Sequence, residues 1–142
     1  MRIIFAAPGL GKSYYIKNVN KTWIDCDSII EYVMGETVNE LVKNEVVWDY
    51  CKNQIINWWK EYFSEKNLIV GKDRWISECE AVYLHTSAEM MSMRIASSDR
   101  ENPITDWDCK AKEYNYIQSA LKYNKPIIRI EYLSDILQHL CS

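Results

Sequence analysis

Two histidines, His85 and His139, are all that the 142-residue chain holds of that residue, which argues against a metal centre built on imidazole. The five cysteines, Cys26, Cys51, Cys79, Cys109 and Cys141, are scattered and form no Cys-x-x-Cys pair. That excludes a zinc ribbon or a disulfide framework and leaves reduced thiols serving as small core residues. No apolar run approaches the ~18 residues of a membrane span, and the chain starts without a charged-then-apolar leader. A cytoplasmic protein with no membrane partner is the expectation. Basic residues are not in excess, because 17 Lys and Arg stand against 20 Asp and Glu for a net charge of −3. This balance argues against nucleic acid as the first-choice partner while leaving room for a local cationic pocket.

What the chain does have is an ordinary globular balance, 48% hydrophobic and 26% charged, without internal repeat or low-complexity linker. One domain over residues 1–142 is expected. Arg2-Ile3-Ile4-Phe5-Ala6, bounded by Pro8-Gly9, lacks polar alternation and predicts a buried parallel strand. Further strands are expected at 22–25, 68–71, 81–84 and 127–130. Between them, helical patterns run after Lys12, over 27–34 with Asp27 as the cap, from a Thr37-x-x-Glu40 capping box to about Ser64, and from Thr86-x-x-Glu89 through Arg94. Two more are expected at 107–123 and 133–140. Trp48, Trp58 and Trp59 fit the core stripe of the long helix, whereas Trp75 and Trp107 border loops. Strands alternating with helices define an α/β class with a five-stranded, mostly parallel sheet, whose ligands bind beyond the carboxyl ends of the strands.

One motif lies at that edge. Ala6-Ala7-Pro8-Gly9-Leu10-Gly11-Lys12-Ser13 follows G-x-x-x-x-G-K-[ST] except that Ala6 stands at the first glycine. The pattern wraps a phosphate in backbone N–H groups, which demands that Gly9 and Gly11 let the chain turn closely. In it Pro8, Gly9, Leu10, Gly11, Lys12, Ser13 and Tyr14 would bind nucleotide, Lys12 would meet the β- and γ-phosphates, and the Ser13 hydroxyl would reach Mg²⁺.

The run Ala-x-Pro-Gly-x-Gly-Lys resembles the adenylate-kinase-like branch of P-loop kinases. Similarity extends to 81–89 with Arg94 and Arg100, which look like that family's fourth strand and lid, and to 126–130 with the closing helix. The resemblance implies a three-layer α/β/α kinase fold with a short lid at about 94–106 and a helical acceptor region at about 27–66. It implies transfer of the ATP γ-phosphoryl group, with Mg²⁺, to a small acceptor, first a nucleoside or deoxynucleoside monophosphate. Arg94 and Arg100 would then neutralise developing charge. Lys72 and Arg74, in Val70-Gly71-Lys72-Asp73-Arg74, would hold the acceptor phosphate, although Val70 stands where the family carries an acid. Asp25 and Asp27 lie where small kinases place an acid that orients or deprotonates a hydroxyl. A hydroxyl acceptor (a nucleoside or a polynucleotide 5′ end) and a non-catalytic ATP-binding module are the alternatives. His85, following a strand, reads as a satisfied edge residue.

Overall fold

A computed structural model describes residues 2–35, 45–97 and 106–135. The chain opens with β1 (Ile3–Ala6), followed by α1 (Lys12–Tyr14), which continues as a π-helix over Tyr15–Val19, then β2 (Trp23–Asp25) and α2 (Cys26–Met34). Next come α3 (Glu45–Tyr62), β3 (Asn67–Val70), a 3₁₀ turn (Asp73–Glu78), β4 (Ala81–Leu84) and α4 (Ala88–Ala96). The described chain closes with α5 (Asp106–Lys122), β5 (Ile127–Arg129) and a 3₁₀ turn (Leu133–Asp135). No described helix is long and apolar enough to cross a membrane.

The five strands form one sheet in the order β2-β3-β1-β4-β5, and every pairing is parallel, where the sequence predicted mostly parallel. Ile4 stands beside Ile69 on one side and Ala81 on the other, so β1 is the central strand. Ile4, Phe5, Leu68, Ile69 and Val82 are fully buried. That is why these strands read as continuous apolar runs: both faces of a parallel sheet are covered. Each such side chain contributes roughly 1.5–3 kcal/mol on burial. The chain leaves β1 toward β2, whereas β3 crosses β1 in the opposite direction to reach β4. Right-handed crossovers in opposite directions put their helices on opposite faces, as three-layer packing requires. The same reversal opens a crevice between the carboxyl ends of β1 and β3.

Several boundaries differ from the sequence expectation. Asp25, not Asp27, caps α2, since its extended backbone lets Oδ1 accept from Ser28 N at 2.9 Å. Ser87, not Thr86, caps α4 in the same manner, accepting from Met90 N. The long helix ends at Tyr62 and not at Ser64; Trp59 is buried and Trp58 packs against the core from a half-buried position. Residues 37–40 lie outside the described residues, as do Arg100 and the rest of 98–105 of the expected lid, and only Leu133–Asp135 of the last predicted helix is described. Trp75, expected at a loop, is 1% exposed within the 3₁₀ turn, while Trp107 is 78% exposed at the start of α5. Cys26, Cys79 and Cys109 are buried free thiols, as the composition predicted, and Cys51 is half-buried.

Asp25→Ala should lower stability by about 1 kcal/mol through the lost cap, read as a lower urea midpoint at unchanged slope. Asp27→Ala should leave that midpoint nearly where it is. An equal loss in both variants would contradict the assignment of the cap.

Candidate functional site

Residues 6–13 connect the central strand to α1. Ala7 N still donates to Tyr83 O at 3.1 Å, so the loop leaves the sheet only after Ala7. Gly9 and Gly11 then take φ of +87° and +81°, the left-handed region that L side chains resist. A Cβ on Gly9 would make ordinary contact, 3.4–3.5 Å, with Ile95, Arg94 and His85, and one on Gly11 would meet open space, so backbone conformation is what demands glycine at both. Leu10 points into the core, and its carbonyl accepts from Leu133 N at 3.1 Å. The loop is thus held at both ends and at its middle.

Along one side of the loop lies a cavity of about 510 Å³. Its wall comprises the loop itself, Lys12, Ser13 and Tyr14, with Cys26 and Asp27 from α2, Ile69 to Lys72 at the end of β3, and Trp75. This is the crevice that the strand order creates. Lys12 spans it: Nζ lies 3.6 Å from the position a Cβ would occupy on Gly71.

Capping by Asp25 has a consequence for its neighbour. Asp25, 8% exposed, spends its carboxylate on the helix end, which leaves Asp27, one turn position later, to line the cavity. Burial raises the Asp27 pKa above the ordinary carboxylate value; Lys12 and Lys72 oppose that, and Asp25 adds to it. Burial likewise pushes the Cys26 thiol up, so this cysteine is no thiolate near neutrality. Lys72 lines the cavity, whereas Arg74 is exposed on the 3₁₀ turn and outside its wall. Asp73 is also outside it and does not stand in for the acid missing at Val70.

Arg94 stands at the other side of the loop. Its Cβ is one of the atoms nearest a Cβ built on Gly9, and its guanidinium lies 4.0 Å over the Tyr132 ring. A second cavity, about 350 Å³ and mostly apolar, opens between Leu10, Gly11, Tyr14, Tyr15 and residues 132–134. Gly11 and Tyr14 belong to both walls. No protein-family model and no curated protein matches this chain. The site therefore stands on its own geometry.

His85 is the satisfied edge residue that the sequence suggested: directly after β4, it is 2% exposed and bonds the Pro8 carbonyl through Nε2 at 2.7 Å. Sequence reasoning missed Tyr132, which carried no signal, since its place depends on where the chain after β5 meets α1.

Among the described residues, no group of three or more His, Cys, Asp or Glu side chains is placed to hold a metal ion. The loop nonetheless fits Mg²⁺ brought in by a nucleotide. Its two left-handed glycines leave the backbone open to phosphate oxygens, and Ser13 lines the cavity beside Lys12.

Proposed function

We propose that the chain is a P-loop phosphotransferase that moves the γ-phosphoryl group of ATP to a small acceptor, first a nucleoside or deoxynucleoside monophosphate. The observation that carries this reading is the loop at residues 6–13. It follows a central parallel strand, turns through two left-handed glycines and extends a lysine across a crevice of about 510 Å³. Backbone N–H groups of such a loop bind phosphate oxygens, and Lys12 supplies the point charge. Bound Mg·ATP would supply the phosphoryl group and its leaving nucleoside diphosphate, with Ser13 as the hydroxyl ligand to the metal.

The chain's own contribution is positioning and charge. Lys12 would hold the transferring group at the mouth of the cavity, and Lys72 would hold an anionic acceptor within it. Arg94, across the loop, would neutralise charge that develops during transfer. The second cavity suits the nucleotide base: its walls are apolar and aromatic, it shares Gly11 with the first, and Arg94 already pins the Tyr132 ring beside it. Base–aromatic stacking is worth about 1–3 kcal/mol. Tyr132→Ala should accordingly raise KM for Mg·ATP by roughly tenfold with little change in kcat; an unchanged KM would move the base elsewhere.

Asp27 favours a second reading, a hydroxyl acceptor. A carboxylate in the cavity wall repels a phosphorylated acceptor but can take the proton of an alcohol as its oxygen bonds to phosphorus and ADP leaves. A monophosphate needs no such base. Both readings meet one assay: ADP formation from Mg·ATP with ribo- and deoxynucleoside monophosphates, nucleosides and a 5′-hydroxyl oligonucleotide. Turnover with a monophosphate supports the first reading, and turnover with an alcohol supports the second. ATP binding without turnover on any acceptor would make the chain a nucleotide-binding module.

A further inference from the structure

His85 joins the loop to Arg94. Its Nε2 lies 2.7 Å from the Pro8 carbonyl oxygen, which can only accept, so Nε2 must carry the proton. The other nitrogen, Nδ1, lies 3.5 Å from Arg94 Nη1, which can only donate. The two contacts together select one state of the ring: neutral, protonated on Nε2. An imidazolium would turn an N–H on Nδ1 toward the guanidinium and lose that contact. The ring also sits against the glycine that turns the loop, with Cε1 3.5 Å from a Cβ built on Gly9. The backbone of His85 is held separately, its carbonyl accepting from Arg129 Nη1 at 2.8 Å.

We propose that His85 is a positioning residue that clasps the loop at Pro8 and Arg94 in one arrangement, and that protonation of its ring opens the clasp on the Arg94 side. The proposal rests on the phosphotransfer reading for its consequence, though not for its geometry. The charged groups facing the ring are Arg94 from α4 and Glu113 from α5, with Arg129 of β5 on the His85 carbonyl and the uncharged Pro8-Gly9 segment on the remaining side. Burial holds the imidazole below its ordinary pKa; Arg94 adds to this, and the Pro8 bond and Glu113 oppose it. The clasp is therefore closed at neutral pH and opens on acidification below the ordinary histidine range.

The geometry is tested without any ligand. Ring ¹⁵N NMR of the full chain, with His139→Gln to identify the two histidines, should show His85 as the Nε2–H tautomer. In Arg94→Met the pKa of His85 should rise, because a repelling charge is gone. An Nδ1–H tautomer, or a pKa indifferent to Arg94→Met, overturns the clasp.

The consequence is tested by splitting the two contacts. His85→Gln keeps a donor near the Nε2 position and should preserve Mg·ATP affinity while lowering kcat about tenfold. His85→Asn keeps an acceptor near Nδ1 and should weaken Mg·ATP binding about tenfold, the cost of one lost hydrogen bond at the loop. Equal losses of affinity and kcat in both variants would reduce His85 to a structural role. Should the wild-type chain bind no Mg·ATP while the NMR result holds, the phosphotransfer reading fails and the clasp stands.

Discussion

Lys12→Ala is expected to reduce acceptor-dependent ADP formation by about 10²–10³-fold, the usual cost of removing one charge-stabilising donor from a reaction centre. Mg·ATP binding should weaken as well, because the ammonium group would act on bound phosphates before and during transfer. The fold should not suffer. Lys12 Nζ lies over Gly71 and not within the core cluster, so the urea midpoint should stay within about 0.5 kcal/mol of wild type, as for substitutions outside packed features. One further effect identifies the site. Lys12 opposes the burial that raises the Asp27 pKa, so removing it should move that pKa higher still. Full activity in Lys12→Ala would end the phosphotransfer reading.

The second large effect concerns the acceptor. If the acceptor is an alcohol, Asp27→Asn should lower kcat by about 10²–10⁴-fold, the contribution of a positioned general base. The remaining activity should lose the acid limb of its pH profile. The sign is fixed by chemistry: a base works when ionised, and burial raises the Asp27 pKa above the ordinary carboxylate value. Activity should thus rise with pH through that raised value. If the acceptor is a monophosphate, Asp27→Asn should keep kcat within a few-fold and improve KM, because a repelling charge has gone.

The same shift bears on stability. The native state holds the Asp27 proton more tightly than the unfolded chain, so stability falls as pH rises from the ordinary carboxylate value through the raised one. Asp27→Asn should flatten that slope. A steeper slope would mean that Asp27 is stabilised as a carboxylate, contrary to its place in the cavity wall.

Much of this was open to reading from the residues. Ile3-Ile4-Phe5 and 81–84 announce buried parallel strands because both faces of the sheet are covered, and a run without alternation has no other use in a short segment. The β4 boundaries, Ala81–Leu84, match the expectation residue for residue. The turn at Gly9 and Gly11 ahead of Lys12 was legible because left-handed turns and a following lysine are local requirements, written at fixed spacing.

The cap of α2 was harder. Asp25 and Asp27 are equally good caps by composition, and the choice depends on which residue is still extended when the helix begins. That is decided by β2, whose pairing with β3 reaches Asp25 opposite Ile69 and holds it in strand conformation. Tertiary pairing therefore assigned one aspartate to the helix end and left the other for the cavity. Trp75 lies after β3 where the sequence put it, but its burial was not legible. The segment folds back as a 3₁₀ turn and covers the ring, which periodicity over so short a stretch does not reveal.

By itself, then, the sequence determined the class of fold, the buried first strand and the loop with its two glycines and its lysine, since each depends on neighbours within a few positions. Tertiary structure decided which side chains share the site: Asp27 but not Asp25, Lys72 but not Arg74, and His85 with Arg94 and Tyr132. These residues come from α2, the segments just after β3 and β4, α4 and the chain after β5. They meet because the connection leaving β1 and the one leaving β3 run in opposite directions, and that order arises from the packing of the whole sheet.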